Sequence, residues 1–438
     1  MKKQLLMILF ACICVTALQA QSSWSVQQSG TFYTLKGVDF IDENIGIAVG
    51  DNGVIVRTIN GGQTWEILNS GVTLCLNSVS FIDANNIIVV GNNALILKST
   101  DGGDSWVAQY IEGTGNGGSE NADFWSVDMS SSGKGIVVGQ YQTLVTTTDG
   151  FVNKLIIRKN YTGGFYSASI LDEDNAFVFG INGNYIPIVY KVAHFDSLST
   201  ARYYLPFDGT IYTEVATLHD GFAFSTDSVL TVGNMEDPNA LYGMSSYICR
   251  NQSWETDEWN TVHAVYDCWY NAVDFVNNYG VSVGGKIDPL GINTNIISES
   301  SDQGRTWKEV QSPIAHLILN DVKILNTAGY IVGDSGLIIK TELPAVNYQS
   351  QQIDYSLNVY PNPSGDHCNI SFLNPAKEDI EISLYNSNGK LVSTVFKGIL
   401  PSGKHEFRLS FNKLSNGFYY CTLRAGKQAI SKKISIVR

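Results

Sequence analysis

The chain has 438 residues, a net charge of −13 and 41 glycines, and charged residues make up only 16% of it. This length exceeds what one ordinary hydrophobic core supports, so two or more domains are expected, and the glycine-rich, aromatic composition favours β structure with many turns. The acidic balance disfavours nucleic acid and anionic lipid as partners.

The first segment, MKKQLLMILFACICVTALQAQ, has the layout of a secretory signal peptide. Two lysines form a basic start, an apolar run covers 5–18, and small residues precede a cleavage site after Ala20. A membrane-spanning helix is the alternative, but the run is short for a span. A lipoprotein cleavage before Cys12 would leave a very short apolar region. We therefore expect a signal peptide over 1–20 and no transmembrane segment later in the chain.

Short strands that end in Val-Gly or Phe-Gly recur seven times over 22–343, at intervals of 41 to 53 residues. The copies end at Gly50, Gly91, Gly139, Gly180, Gly233, Gly284 and Gly333. This period, with several strands in each repeat, indicates a seven-bladed β-propeller. The seventh copy lacks its last strand, and the segment at Trp24 matches the one at Trp65. We expect this N-terminal strand to complete the last blade and close the ring.

Three repeats share a turn that reads Ser/Thr-x-Asp/Asn-x-Gly-x-Ser/Thr-Trp, as in STDGGDSW. The turn residues are Asn60, Gly62, Trp65, Asp101, Gly103, Trp106, Asp302, Gly304 and Trp307. A fourth copy, TTDGFVNK at 147–154, lacks the tryptophan. These turns resemble the structural Asp-box hairpins of sialidase-type propellers. The whole pattern over 24–343 resembles the photosystem II stability/assembly-factor-like propellers, a likeness that implies fold rather than role.

No catalytic or cofactor pattern stands out in the propeller sequence. Sialidases use three arginines on the substrate carboxylate, and photosystem assembly factors carry an Arg-rich face. The few arginines here are scattered among excess acid, so neither role is carried over. A glycosidase needs only two suitably spaced carboxylates, so a secreted glycan-active hydrolase stays open as the alternative. No metal-ligand spacing, phosphate loop or Rossmann glycine run occurs, and no metal or cofactor is expected.

Longer connections concentrate in blades three to six, on one face of the predicted ring. They are 111–123, 180–187, 197–214, 233–244, 255–268 and 284–293. Long loops on a rigid ring favour a binding surface, with chance variation in length as the alternative. At the start of the first strands, the aligned blades place Lys36, Asn77, Trp125, Tyr166, Asp220, Asn271 and Asn320, with Trp269 close by. The aromatic members could stack on a sugar or peptide, or pack between blades. We predict a non-catalytic propeller that binds an extracellular glycan or protein.

The tail differs from the propeller in composition and charge. Residues 344–354 read as a polar linker, and 355–438 as about seven short alternating strands, typical of an antiparallel Ig-like β-sandwich. The tail has 11 basic and 5 acidic residues, whereas 22–354 has 15 and 36. The predicted fold class is therefore all-β: a seven-bladed β-propeller followed by a small sandwich.

Several short motifs in the tail occur in combination. They include Pro361, Asn362, Pro363, Gly389, Gly417, Tyr419, Lys432 and Lys433. Together they resemble the type A sorting domain of the type IX secretion system of Bacteroidetes; an ordinary Ig-like ligand-binding module is the alternative. The resemblance implies recognition by the type IX secretion machinery, then release or attachment at the cell surface.

Five cysteines follow the predicted signal peptide. Cys249 with Cys268, and Cys368 with Cys421, could pair in an oxidising compartment. The alternative is that all five are small buried residues, which we favour for Cys75.

Overall fold

The computed structural model describes residues 23–114, 121–157, 162–184, 186–195, 197–203, 216–226, 228–237, 240–253, 258–343, 357–374, 378–386, 390–401, 403–411, 414–425 and 428–437. The chain forms two compact units, Met1–Pro344 and Ala345–Arg438. The expected signal peptide, the expected linker and Gly389 lie outside the described residues. Within them, no helix has the length and apolar character needed to cross a membrane.

The first unit contains seven four-stranded antiparallel sheets, one for each blade. Strand β1 (Trp24–Gln27) precedes blade one, which has β2 (Leu35–Phe40), β3 (Gly46–Gly50), β4 (Ile55–Thr58) and β5 (Glu66–Leu68). Blades two and three have β6 (Leu76–Phe81), β7 (Ile87–Gly91), β8 (Leu95–Ser99), β9 (Val107–Tyr110), β10 (Phe124–Met129), β11 (Gly135–Gly139), β12 (Thr143–Thr147) and β13 (Leu155–Ile157). Blades four and five have β14 (Gly164–Ile170), β15 (Asn175–Ile181), β16 (Pro187–Ala193), β17 (Ser197–Tyr203), β18 (Ala216–Ser225), β19 (Ser228–Glu236), β20 (Met244–Ser253) and β21 (Glu258–Tyr266). Blades six and seven have β22 (Cys268–Val276), β23 (Tyr279–Ile287), β24 (Asn293–Ser300), β25 (Lys308–Val310), β26 (Leu319–Ile324), β27 (Ala328–Gly333) and β28 (Ile338–Glu342).

The first strands of neighbouring blades contact one another around the ring, and β26 of blade seven contacts β2 of blade one. These strands therefore line the axis, and the seven-bladed β-propeller expected from the repeats is confirmed. Because every pair is antiparallel, the turns after the second strands and the links between blades share one face, here called the connection face. The turns after the first strands share the opposite face, here called the Asp-box face, with the Asp-box hairpins.

The seventh sheet is built from both ends of the unit. Its strand order is β26, β27, β28 and β1, and Trp24 pairs with Thr341 while Gln27 pairs with Ile338. The Trp24 indole is buried, and its Nε1 donates a 3.0 Å hydrogen bond to Glu299 of blade six. The N-terminal strand thus supplies the outer strand of blade seven.

Hydrophobic side chains pack between neighbouring blades. Alternation along β3 sends Ile47 toward blade two, where it packs with Val89, and Ala48 toward blade seven, where it packs with Tyr330. Each fully buried Val, Leu or Ile contributes about 1.5–3 kcal/mol. Runs such as GIAVG are buried on both faces for this reason, which explains why they read as continuous apolar segments.

The second unit is a two-sheet antiparallel sandwich. One sheet has the order β29 (Asn358–Tyr360), β30 (His367–Asn374), β33 (Gly403–Ser410). The other has the order β32 (Leu391–Leu400), β31 (Glu378–Asn386), β34 (Gly417–Ala425), β35 (Gln428–Ile436). Ile370 and Phe372 of the first sheet pack against Ile382 and Leu423 of the second. The expected Ig-like β-sandwich is confirmed.

The five described cysteines are free thiols, so the structure contains neither of the disulfides considered from the sequence. Cys249, Cys268, Cys368 and Cys421 are buried, whereas Cys75 is only partly buried. The expectation that Cys75 is a buried residue is therefore wrong in part.

Candidate functional site

Each first strand carries a β-bulge where it starts, at the connection face. In blade one, for example, the pairing with β3 passes from Leu35 to Gly37 and skips Lys36. The seven skipped residues, here called the mouth ring, are Lys36, Asn77, Trp125, Tyr166, His219, Asn271 and Asn320. Six of them are residues that the aligned repeats predict. In blade five the pairing passes from Leu218 to Asp220, so His219, and not Asp220, occupies this position.

The three asparagines of the mouth ring join neighbouring blades. Each donates its side-chain amide to the backbone carbonyl of the residue that precedes the bulge in the next blade. The pairs are Asn77 to Phe124 at 2.7 Å, Asn271 to Leu319 at 2.8 Å and Asn320 to Leu35 at 2.8 Å. A carbonyl at the axial edge of a first strand has no neighbouring strand to bond it, and these amides satisfy it.

Aromatic rings replace the asparagines in blades three to five. Trp125 stacks on Tyr166 with centroids 4.8 Å apart, and Tyr166 stacks on His219 at 5.9 Å. A Cβ on Gly164 would lie 2.4 Å from the Trp125 ring, so only glycine permits this packing. His219 Nε2 lies 2.6 Å from Asn234 Oδ1, and burial lowers the pKa of His219. Tyr166 thus has an aromatic ring on either side.

The other two predicted residues have different surroundings. Trp269 precedes the bulge of blade six and packs on Gly285, where a Cβ would fall 2.2 Å from the indole. Lys36 Nζ lies 3.1 Å from Asp51 Oδ1 and 3.0 Å from Cys75 Sγ. Burial raises the pKa of the Cys75 thiol, so this thiol is a protonated neighbour of the ammonium group.

A second ring lies three residues after the mouth ring on the same strands. Its members, here called the channel layer, are Asp39, Ser80, Asp128, Ser169, Phe222, Asp274 and Lys323. Four of them accept a backbone N–H from the first strand of the next blade. The bonds run from Phe81 to Asp39 at 2.9 Å, Met129 to Ser80 at 3.1 Å, Ile170 to Asp128 at 2.6 Å and Ile324 to Asp274 at 2.7 Å. They satisfy donors that a sheet edge would otherwise leave open.

Lys323 places one positive charge among the carboxylates of the channel layer. Its Nζ lies 2.8 Å from Asp39 Oδ1. Burial alone would lower the pKa of Lys323, but the nearby carboxylates, Asp39 and Asp274 above all, raise it above its ordinary value. Burial also raises the pKa of Asp128, to about 6, although Ile170 N–H and Lys323 oppose the shift. The lysine therefore stays charged and neutralises part of the channel.

Two more carboxylates lie between the rings. Asp220 accepts hydrogen bonds from the Ser167 hydroxyl and, at 2.8 Å, from Val273 N–H, while Asp321 accepts one at 2.8 Å from Val38 N–H. Burial raises the pKa of Asp220 to about 6 and that of Asp321 to about 8. Asp220 thus connects blades four, five and six. Among the described residues, no group of three or more His, Cys, Asp or Glu side chains is placed to hold a metal ion.

The Asp-box residues lie on the opposite face and make hydrogen bonds within their own turns. Gly103 N–H donates to Ser99 Oγ at 2.8 Å, and Ser105 N–H donates to Asp101 Oδ1 at 2.9 Å. Hydrogen bonds from the Ser105 hydroxyl and backbone lower the pKa of Asp101 to about 2. Equivalent bonds occur around Asn60 with Gly62, around Asp302 with Gly304, and in the variant box at Asp149.

The tryptophans that follow these boxes pack between blades. Trp106 belongs to the cluster shared by blades one and two, and Trp65 packs edge-on against Phe40 in the cluster shared by blades one and seven. Trp307 packs against Phe275 in the cluster shared by blades five and six, and donates to Gly304 O at 3.0 Å. The repeated motif therefore combines a rigid turn with an anchor on the preceding blade.

Blades five and six project further than the others at the connection face. Blades one and two turn directly after the glycine of the second strand, whereas β19 continues past Gly233 to Glu236 and β23 continues past Gly284 to Ile287. In the turns beyond them, aspartate side chains accept hydrogen bonds from the backbone of Tyr242, Leu290 and Ile292. Of the predicted long connections, 115–120, 185, 204–214, 238–239 and 254–257 lie outside the described residues.

In the second unit, the Pro361-Asn362-Pro363 segment lies along the outer edge of the closing strand. The Asn362 side chain donates to Lys433 O at 2.7 Å and accepts from Ser435 N–H at 2.9 Å. Ser364 continues the contact by donating to Ser435 O and accepting from Val437 N–H. Two motifs that are far apart in sequence are therefore held together.

The closing lysines lie on opposite faces of β35. Lys432 pairs with buried Cys421, whereas Lys433 pairs with exposed Tyr420 and places its Nζ 3.6 Å from the Phe418 ring centroid. Both lysines are exposed, and they lie on different faces because neighbouring residues of a strand alternate between faces. Gly417 begins β34, and the Tyr419 hydroxyl donates to Ser415 O at 3.1 Å.

Comparison with known proteins agrees with both parts of this architecture. Residues 358–437 match the family model of the secretion system C-terminal sorting domain, and residues 16–112 and 67–158 match that of the photosynthesis system II assembly factor YCF48. The chain is therefore similar to the YCF48 family over 16–158 and to the sorting domain over 358–437. The sorting domain indicates export through the type IX secretion system, to the cell surface or the medium. No curated protein matches the chain.

Solved structures support the propeller fold. A structure of YCF48 bound to D1 peptide is 17% identical, with a TM-score of 0.55, and covers 73% of this chain and 97% of that one. YCF48 from Cyanidioschyzon merolae is 18% identical, with a TM-score of 0.54 and coverages of 73% and 98%. The GH74 enzyme of Niastella koreensis is 12% identical, with a TM-score of 0.52 and coverages of 95% and 74%. At these identities the likeness concerns fold alone.

Sequence reasoning missed the channel layer of the propeller. The aligned repeats did contain a sign of this layer. In VDF, VSF, VDM and VKI, the residue after the valine is polar or charged. Lys323 in particular is a charged residue between the buried Val322 and Ile324 of β26. A charge there indicates either a solvent-facing strand or an axial position, and the structure shows the axial position.

Proposed function

We propose that this protein is a non-catalytic binding propeller, carried to the cell surface or the medium by its sorting domain. Its ligand, an extracellular glycan or protein, binds at the connection face of blades three to six. The observation that carries this proposal is a contrast between the side chains near the propeller axis and the hairpins at the edge of the connection face. Mouth-ring and channel side chains bond or stack on neighbouring blades, whereas the hairpins of blades five and six project beyond them.

The surroundings of the carboxylates favour binding over hydrolysis. Asp39, Asp128 and Asp274 each accept a backbone N–H, and all three surround Lys323. A glycosidase needs one carboxyl group free to protonate the leaving group and another facing a water or the sugar. Carboxylates bonded to the backbone of the next blade support the ring instead.

The likeness to YCF48 supports a peptide or protein ligand, because one of those structures is bound to a peptide. The present chain has no arginine cluster that would attract an acidic partner, and 22–354 is strongly acidic. An acidic peptide is therefore not the expected ligand of this propeller. Stacked Trp125 and Tyr166 leave a glycan fewer free aromatic faces than the sequence suggested.

Two assays test the proposal. The chain without residues 1–20 is applied to a glycan array and to immobilised peptides, and the same protein is screened for turnover of glycosides and peptides. Binding that is lost when the turns at 237–243 and 288–292 are shortened supports the proposal. Robust turnover that a single Asp→Asn or Glu→Gln change abolishes contradicts it and establishes the glycan-active hydrolase.

A further inference from the structure

An exposed apolar surface covers the tips of the projecting hairpins. Its members, here called the rim patch, are Leu241, Tyr242, Tyr266, Leu290 and Ile292, which are between 40% and 82% exposed. Single exposed apolar side chains are ordinary, but a contiguous group on a soluble protein marks an interaction site. Neither repeats nor motifs indicate this group, because its members come from three separate segments of the chain.

The rim patch is contiguous because Asp267 connects its three segments. The Asp267 carboxylate accepts hydrogen bonds from Leu241 N–H at 3.3 Å and Tyr242 N–H at 2.7 Å. Its own carbonyl accepts from Ile287 N–H at 2.7 Å, next to the second hairpin. A Cβ placed on Gly291 would lie 3.3 Å from the Tyr242 hydroxyl, so the two hairpin tips are in contact.

The backbone beneath the rim patch is fixed by hydrogen bonds. Asp288 Oδ1 accepts from Leu290 N–H and Ile292 N–H, both at 2.9 Å. Asp237, which begins the first turn, is buried and accepts from the Ser245 hydroxyl at 2.8 Å. The exposed leucines on these turns therefore have a defined arrangement before any partner binds. Binding then costs little conformational entropy in the turns.

The charge around the rim patch selects the partner. Glu236, Asp267 and Asp288 lie in or beside these turns, and the nearby cation, Lys286, is paired with Glu309 at 3.0 Å. Residues 22–354 carry 36 acidic and 15 basic residues. This field repels an anionic membrane and a second propeller of the same kind, and it attracts cationic groups.

We propose that the rim patch binds a protein segment that presents apolar side chains flanked by lysine or arginine. Leu241 and Leu290 are the apolar anchors, and the surrounding carboxylates pair with the flanking cations. This inference rests on the proposed function, since it names the partner of the connection face. Phe32, which is also exposed, lies between β1 and β2 and belongs to another blade.

Three synthetic peptides serve as probes: alternating Leu and Lys, alternating Leu and Glu, and alternating Ser and Lys. Their affinities for the full mature chain are measured by fluorescence anisotropy at low and physiological salt. The matched variants are Leu241→Ser with Leu290→Ser at the rim patch, and Ile59→Ser with Val152→Ser at the Asp-box face, where the side chains are 68% and 72% exposed. All four positions are exposed, so thermal unfolding should show unchanged folding.

We expect the Leu/Lys peptide to bind best, with weaker binding at higher salt, and the rim variant to lose about tenfold or more in affinity while the Asp-box-face variant loses none. Equal binding of the Leu/Glu peptide, or no loss in the rim variant, overturns the inference. If the glycan array still shows ligand binding that depends on turns 237–243 and 288–292, the proposed function stands while this inference fails. If binding of either kind is lost only in the Asp-box-face variant, both fail.

Discussion

Replacing Lys323 by methionine tests whether the axis is held together by charge. The substitution keeps the length of the side chain but removes the cation that lies 2.8 Å from Asp39 and also faces Asp274 and Asp128. Breaking a buried ion pair from one side costs about 3–5 kcal/mol. Because the Lys323 side chain is 32% exposed, we expect a lower value, about 2–4 kcal/mol. For a domain of this size that corresponds to a fall in melting temperature of roughly 3–6 °C.

The assay is thermal and urea unfolding of the mature chain between pH 5 and pH 8. Lys323 lowers the pKa values of Asp128 and Asp274, which burial raises, so without it these two folded-state pKa values lie further above their unfolded values. A raised carboxyl pKa destabilises the folded state at high pH, and this loss is relieved as pH falls and the group protonates. The deficit of the variant should therefore be larger at pH 8 than at pH 5.

Two controls accompany this prediction. Lys36→Met removes a partly exposed lysine of the mouth ring and should cost less than about 1 kcal/mol. Asp39→Asn retains the acceptor for Phe81 N–H, so its combination with Lys323→Met should cost less than the sum of the single changes. A Lys323→Met deficit below about 0.5 kcal/mol, or one that is independent of pH, would refute the reasoning.

Other predictions concern pH, closure and export. The Asp321 carboxyl group has a folded-state pKa of about 8, and Asp321→Asn mimics its protonated form. The substitution should therefore stabilise the propeller more at pH 9 than at pH 4. Calorimetry at both pH values checks this, and an equal effect contradicts it. Trp24→Ala should cost about 3–5 kcal/mol, whereas Val26→Ala on the same strand should stay within about 0.5; similar losses would argue against closure by this strand. Asn362→Asp should destabilise the second unit by about 1–3 kcal/mol and reduce surface delivery without changing the propeller transition, as followed by calorimetry and cell fractionation. Truncation from Ser431 should leave a folded propeller in the periplasm, and its appearance in the medium would contradict the sorting role.

The fold could be predicted because its signals are local. Gly-rich turns and the tryptophans after them recur within short windows, and the hydrogen bonds that shape each turn lie within it, as around Asp101. The same is true of the tail, where runs of alternating residues between turns define the strands. Export could be inferred for a similar reason, since the sorting motifs are short and lie in a fixed order.

The site could be predicted only in part because it depends on register and on distant contacts. An alignment of the repeats on their Val-Gly endings cannot locate a β-bulge. For blade five it therefore selected Asp220, whereas the structure places His219 in the mouth ring. The sequence left open whether Trp125 stacks on a ligand or between blades, and the structure shows it against Tyr166 and Gly164. The rim patch depends on Asp267, which joins segments that no single window contains.

Closure by the first strand also determines when the ring can form during synthesis. Trp24 leaves the ribosome before any other part of the propeller, yet its partner Thr341 is among the last residues to emerge. Until β28 has been made, β1 has no partner strand within its own chain. The leading strand must therefore avoid pairing with another copy of the chain until the last blade has been synthesised.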